Sequence, residues 1–101
     1  MLVQLIQAVA LDSRNKMAWY GKGNSLFRLH RFQEALRCFD HALAMDPRIA
    51  MAWINKALTE DALGLRDDAA HSYQRFLGVA DPQDVARIQY ARERLQELGR
   101  K

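Results

Sequence analysis

The chain has 101 residues, half of them apolar, enough for a single domain whose core needs neither disulfides nor metal. Its 15 basic and 12 acidic residues leave a formal charge of +3 spread along the sequence, which gives no argument for nucleic acid, and no run reaches the roughly 18 to 20 apolar residues that span a bilayer. The one cysteine, Cys38, can form no internal bridge and fits a reducing, cytoplasmic compartment.

The opening MLVQLIQAVALD ends in small residues like a leader cleavage site, but it is too short and lacks a basic lead-in. Leu2, Leu5, Ile6 and Val9 instead form an apolar stripe at helical spacing, and Ala8 and Asp12 stand 34 positions before Ala42 and Asp46. Residues 1–13 are therefore expected to be the second helix of a partial preceding repeat, closed by a turn at Asp12-Ser13. The first full repeat, 16–49, opens with a helix over about 16–29. Gly23 inside it costs roughly 1 kcal/mol relative to alanine, and small residues at Gly23, Ala35 and Ala42 suit close helix packing. The pair turns at His30-Arg31, and a second helix follows over 32–45 with Ala35, Leu36, Phe39, Ala42 and Leu43 on one face.

Asp46-Pro47 closes that unit, because proline starts or ends a helix better than it sits inside one. The second repeat, 50–83, predicts a helix over 50–63 stopped by Gly64 as a left-handed C-cap, then one over 66–78. In that helix Phe76 replaces the alanine of positions 8 and 42. The closing proline slips by one, from Pro47 to Pro82, so this unit carries a one-residue insertion near its end. Asp81 and Pro82 then read as N-cap and first position of a final helix, 82–99. Val85, Ile88, Ala91, Leu95 and Leu98 form its apolar stripe, with Arg87, Glu93, Arg94 and Glu97 opposite.

The repeat is visible in paired residues: Trp19 with Trp53, Leu29 with Leu63, Ala35 with Ala69, Phe39 with Tyr73 and Leu43 with Leu77, each 34 positions apart. Within the unit, the order Trp19, Gly23, Leu26, Ala35, Phe39, Pro47 resembles the tetratricopeptide repeat pattern. The departures are Lys22 and Lys56 at the leucine before the glycine, Ala57 at the glycine, and Leu26 and Glu60 at the following aromatic. The resemblance implies an all-α, right-handed superhelical array of antiparallel helix pairs, an α-solenoid with a solvating C-terminal capping helix. Two full units, a leading half and a trailing helix are just sufficient for a core, with Trp19 and Trp53 expected among its largest contributors.

No catalytic residues are expected. Asp67-Asp68 and Glu60-Asp61 are adjacent on helices, point to different sides and read as solvated surface. There is no glycine-rich phosphate loop after a strand and no nucleophile with its base in a recognisable setting, so the chain reads as non-enzymatic and without cofactor. Cys38 and His41 share a helix at a spacing that two metal ligands can use, but two ligands do not make a site and no second pair appears. The alternative of an RNA-binding helical repeat rests on Arg14, Lys16, Lys22, Arg28 and Arg31. Acidic residues hold comparable places in the second unit, so no basic stripe continues.

By the same resemblance the chain is a protein–protein interaction module or scaffold, binding a peptide or helix of an unknown partner protein in a concave groove lined by the first helices of each pair. The family's groove positions fall on Met17, Tyr20, Asn24, Phe27 and Arg28, then on Met51, Ile54, Leu58, Asp61 and Ala62. Asn24 and Asn55 match the asparagines that hold a peptide's C-terminal carboxylate in arrays clamping acidic tails. The basic residues of that clamp are absent: Tyr20 stands where one lysine belongs, and the third-unit lysine and arginine fall near Ala86 and Tyr90. Apolar anchors suit such a groove better, with Tyr20 and Ile54 expected to be largely exposed. The leading helix lacks a partner on one side. Leu2, Leu5 and Ile6 are thus expected to meet missing upstream repeats of a longer array, or a second copy in a homodimer.

Overall fold

A computed structural model of the protein describes residues 15–99, and the expectations for Leu2, Leu5, Ile6 and the rest of the leading helix lie outside them. Five helices follow one another among the described residues: α1 Lys16–Arg28, α2 Phe32–Met45, α3 Ala50–Ala62, α4 Arg66–Val79 and α5 Val85–Leu98. Each packs chiefly on its neighbour in sequence, α1 on α2, α3 on α4 and α5 on α4, while α3 also packs on α2 and joins the two pairs. The result is an all-α array of helix pairs, elongated to 43 × 27 × 20 Å.

Local chemistry sets the helix ends. Asn15 caps α1, its side-chain oxygen accepting from the backbone N–H of Met17 and Ala18 at 3.1 Å each. Both pairs then turn through the same motif. After α3, Gly64 takes φ +76°, its N–H donates to Asp61 O at 3.0 Å, and Leu65 N–H donates to Glu60 O at 2.9 Å. After α1, His30 takes φ +60° and repeats both bonds, His30 N–H to Phe27 O at 3.0 Å and Arg31 N–H to Leu26 O at 2.9 Å. Glycine adopts this left-handed conformation freely; histidine does not.

The final helix begins later than the sequence suggests, because Asp81-Pro82 forms a turn. Asp81 Oδ1 accepts from Gln83 N–H and Asp81 O from Asp84 N–H, both at 2.9 Å, which places proline second in a tight turn and lets the helix start at Val85. Asp46-Pro47 makes a similar turn, with Asp46 Oδ1 accepting from Arg48 N–H at 2.9 Å. Between Val79 and Asp81 lies the extended residue Ala80, the extra residue by which the second turn arrives 35 rather than 34 positions after the first.

Two buried clusters form the core. Leu26, Ala35, Cys38 and Phe39 fill the α1–α2 pair. Leu43, Ala52, Trp53, Ile54, Ala57, Ala69, Tyr73, Phe76 and Ala91 run from α2 to α5, and the half-buried Tyr20 touches both clusters. The largest wholly buried side chains are Tyr73, Phe39 and Phe76, each worth about 1.5 to 3 kcal/mol of apolar burial. The tryptophans therefore contribute unequally. Trp53 is 8% exposed, with its indole N–H on Pro47 O at 2.7 Å, whereas Trp19 is only half-buried and lies flat on His41 at 4.3 Å. Gly23 serves the close approach expected of it, since a Cβ there would meet the Phe39 ring at 2.7 Å.

Candidate functional site

The expected groove residues divide into three environments. On α1, Met17 is 54% exposed and Arg28 is exposed, while Phe27 is half-buried with its ring edge-on to Phe32 at 5.6 Å. Between α1 and α3 lies a polar junction: Asn55 Nδ2 donates to Asn24 Oδ1 at 2.7 Å and to the Tyr20 hydroxyl at 3.3 Å. Met51, Ile54, Asn55 and Leu58 of α3 come together with Ala86, Arg87 and Tyr90 of α5 around an open cleft of about 680 Å³.

Ile54 corrects the expectation of exposure. It is 3% exposed and belongs to the main core cluster, among buried side chains of α3, α4 and α5. Tyr20 is half-buried for a related reason, packing on both clusters while its hydroxyl accepts from Asn55. The exposed members of the cleft wall come from α5: Ala86, Arg87 and Tyr90, the last 43% exposed with its ring edge-on to Tyr73 at 6.1 Å. Arg87 was not among the sequence candidates; its signal was only its place on the polar side of the last helix. Arg87 Nη1 lies 3.2 Å from Asp84 Oδ2 and 3.4 Å from Oδ1.

Asp61 is engaged inside the protein. Arg94 grips its carboxylate with two bonds, Nε to Oδ2 at 3.0 Å and Nη2 to Oδ1 at 2.7 Å, and the Tyr73 hydroxyl donates to Oδ2 at 2.7 Å. Burial alone pushes this carboxyl upward, but the bonds from Arg94 and Tyr73 outweigh it and hold Asp61 below the usual aspartate range. Burial, together with this same carboxylate, pushes the Tyr73 phenol far up, so it remains a donor. The knot fastens α5 to the α3–α4 pair.

Glu60, expected at the solvated surface, is 4% exposed and accepts from Ser72 Oγ at 2.6 Å. Burial raises its carboxyl above the ordinary glutamate range, opposed by the Ser72 bond and by Lys56. Cys38 is buried in the first cluster, and that burial pushes its thiol up despite the cations of Lys22 and Arg37. It is thus a packing group rather than a thiolate ligand. His41 lies against Trp19, and no group of three His, Cys, Asp or Glu side chains that could hold a metal occurs among the described residues. No helix there is long and apolar enough to cross a membrane.

Comparison with known proteins agrees with this architecture. A family model described as "Tetratricopeptide repeat" matches residues 4–36 and 20–85. No curated protein matches the chain. Among solved structures, the first TPR of Spaghetti (RPAP3) bound to the HSP90 peptide SRMEEVD superposes with a TM-score of 0.82 at 21% identity, over 95% of this chain and 75% of that one. MamA superposes at 0.78 and 23% identity, over 93% of this chain and 54% of its own. YrrB, described as a TPR protein with an unusual peptide-binding site, superposes at 0.71 and 15% identity, over 93% and 55% respectively. The chain thus spans about half the length of the last two, and at these identities the likeness is one of fold.

Proposed function

The chain belongs to the tetratricopeptide repeat family, and from that premise we propose that it is a non-catalytic interaction module whose cleft between α3 and α5 seats a segment of a partner protein. The observation that carries this reading is the wall of that cleft, Met51, Ile54, Leu58, Ala86 and Tyr90 around the amide of Asn55. A largely apolar concavity with a few placed polar groups, here the Asn55 amide, Arg87 and the Tyr90 hydroxyl, is the usual form of a specific ligand site, and its volume of about 680 Å³ falls within the roughly 300 to 1,000 Å³ typical of one. The peptide bound by the similar RPAP3 domain supports the same class of ligand. Met17 and Tyr20 extend the apolar surface along α1, whereas Asp61, held by Arg94, acts as a support for α5 rather than as a contact.

Panning a random peptide library against the purified protein tests this. Bound peptides should lose at least tenfold in affinity on Ala86→Trp, which fills the cleft from an exposed helix position, and on Tyr90→Ala. They should ignore Arg37→Glu on α2. Peptides indifferent to both cleft variants would show that the seat lies elsewhere.

A further inference from the structure

The polar groups of the cleft restrict what can occupy it. Asn55 supplies the amide of the wall, and both hydrogens of its Nδ2 are spent inside the protein, on Asn24 at 2.7 Å and on Tyr20 at 3.3 Å. What Asn55 retains for a ligand is Oδ1, which accepts and cannot donate. The one cation of the wall, Arg87, is already held by Asp84, so the pair brings no net charge to the rim. Of the other lining side chains only Tyr90 carries a polar atom, its hydroxyl, and the rest are apolar.

An anion entering this cleft loses water and meets no uncompensated cation, which is costly. A helical ligand offers little to Asn55 Oδ1 either, because its backbone N–H groups are used within the helix. An extended segment has such donors free. We infer that the cleft takes an extended, internal stretch of a partner chain, uncharged at its anchor. An apolar side chain enters between Met51, Leu58 and Tyr90, a backbone N–H donates to Asn55 Oδ1, and a chain-terminal carboxylate is rejected. This rests on the cleft being the partner's seat, as proposed above.

The test uses peptides selected on the purified 101-residue chain, titrated as free acids, as C-terminal amides and with a single backbone N-methyl group at each position in turn. Amidation should change affinity less than twofold, one N-methyl position should cost about tenfold, and Ala86→Lys, which places a cation at the rim, should not tighten binding. A requirement for the free carboxylate, tightening by Ala86→Lys, or indifference to every N-methyl group overturns the inference. In those cases loss of binding on Ala86→Trp leaves the seat itself standing, whereas peptides unmoved by Ala86→Trp remove the seat.

Discussion

Ser72 donates a hydrogen bond of 2.6 Å to Glu60 inside the α3–α4 pair, and these two residues stand 34 positions after Leu26 and Cys38, which share the buried cluster of the α1–α2 pair. One pair of helices closes over an apolar contact and the next over a buried carboxylate with its donor. The substitutions are matched: a buried glutamate without Ser72 leaves an unsatisfied acceptor, and a serine opposite leucine gains nothing.

Glu60 thus costs stability when ionised. Its folded pKa lies above the unfolded one because burial disfavours the charge, so its favourable contribution is full below the ordinary glutamate range and is lost as pH rises through the raised value. Glu60→Gln, neutral and of the same shape, should therefore be more stable than the parent by about 1 kcal/mol at pH 7, with the gap closing near pH 4. Ser72→Ala should lose about 1 to 3 kcal/mol at pH 7. Urea denaturation across that pH range decides both, and a gap for Glu60→Gln that widens in acid contradicts the sign.

His30 and Gly64 hold the same left-handed place in successive turns, at φ +60° and +76°. The side chain of His30 bears a conformational cost of about 1 to 2 kcal/mol that glycine avoids, partly offset by the greater freedom of glycine in the unfolded chain and by the ring contact of His30 with Phe32 at 5.3 Å. His30→Gly should raise stability by about 0.5 to 1 kcal/mol. Gly64→Ala, which meets no atom within 4 Å and so is opposed by backbone conformation alone, should lower it by about 1 kcal/mol. Denaturant midpoints that move the other way would separate these turns from the motif they share.

The 34-residue period made most of this fold legible, because a repeat shows each helix twice and the second copy checks the first. Helix α2 begins and ends where its apolar face predicts, and Gly64 and Gly23 serve the purposes their positions suggest. Two features were hidden because they depend on packing partners in other helices, and a third because its local sequence suits two conformations. Glu60 reads as surface until Ser72 is placed opposite it. Ile54 reads as exposed until the helices are packed around one cluster, and Asp81-Pro82 reads as a helix start although the same two residues are equally suited to a turn.

The Asp61–Arg94 pair joins α3 to α5 across 33 residues of sequence, with side chains about one-fifth and one-quarter exposed and with Tyr73 as a third member. Removing the cation leaves the carboxylate partly desolvated, so Arg94→Met should cost about 1 to 3 kcal/mol at pH 7. Asp61 has a lowered folded pKa, so its contribution is present above the ordinary aspartate range and is lost as pH falls. The difference between parent and variant should accordingly shrink below about pH 4, and a difference constant from pH 7 to pH 3 would assign the effect to packing.

Ile54 and Met17 are both expected in the groove from the sequence, yet they stand at opposite extremes of burial, 3% against 54% exposed. Ile54 sits in the cluster that links α3, α4 and α5, where lysine would bring an ammonium among apolar side chains. Ile54→Lys should therefore cost 3 kcal/mol or more, on the order of a buried unpaired charge, a large part of the roughly 5 to 15 kcal/mol that holds a domain of this kind together. Met17→Lys should leave the thermal midpoint within a few degrees, since an exposed substitution is usually worth less than about 0.5 kcal/mol. The contrast also dictates how partner binding must be probed: a loss on Ile54→Lys reports unfolding, and only exposed positions such as Ala86 and Tyr90 report contact. Circular dichroism melts of the two variants settle it, and a native-like midpoint for Ile54→Lys would mean that Ile54 is not buried in solution.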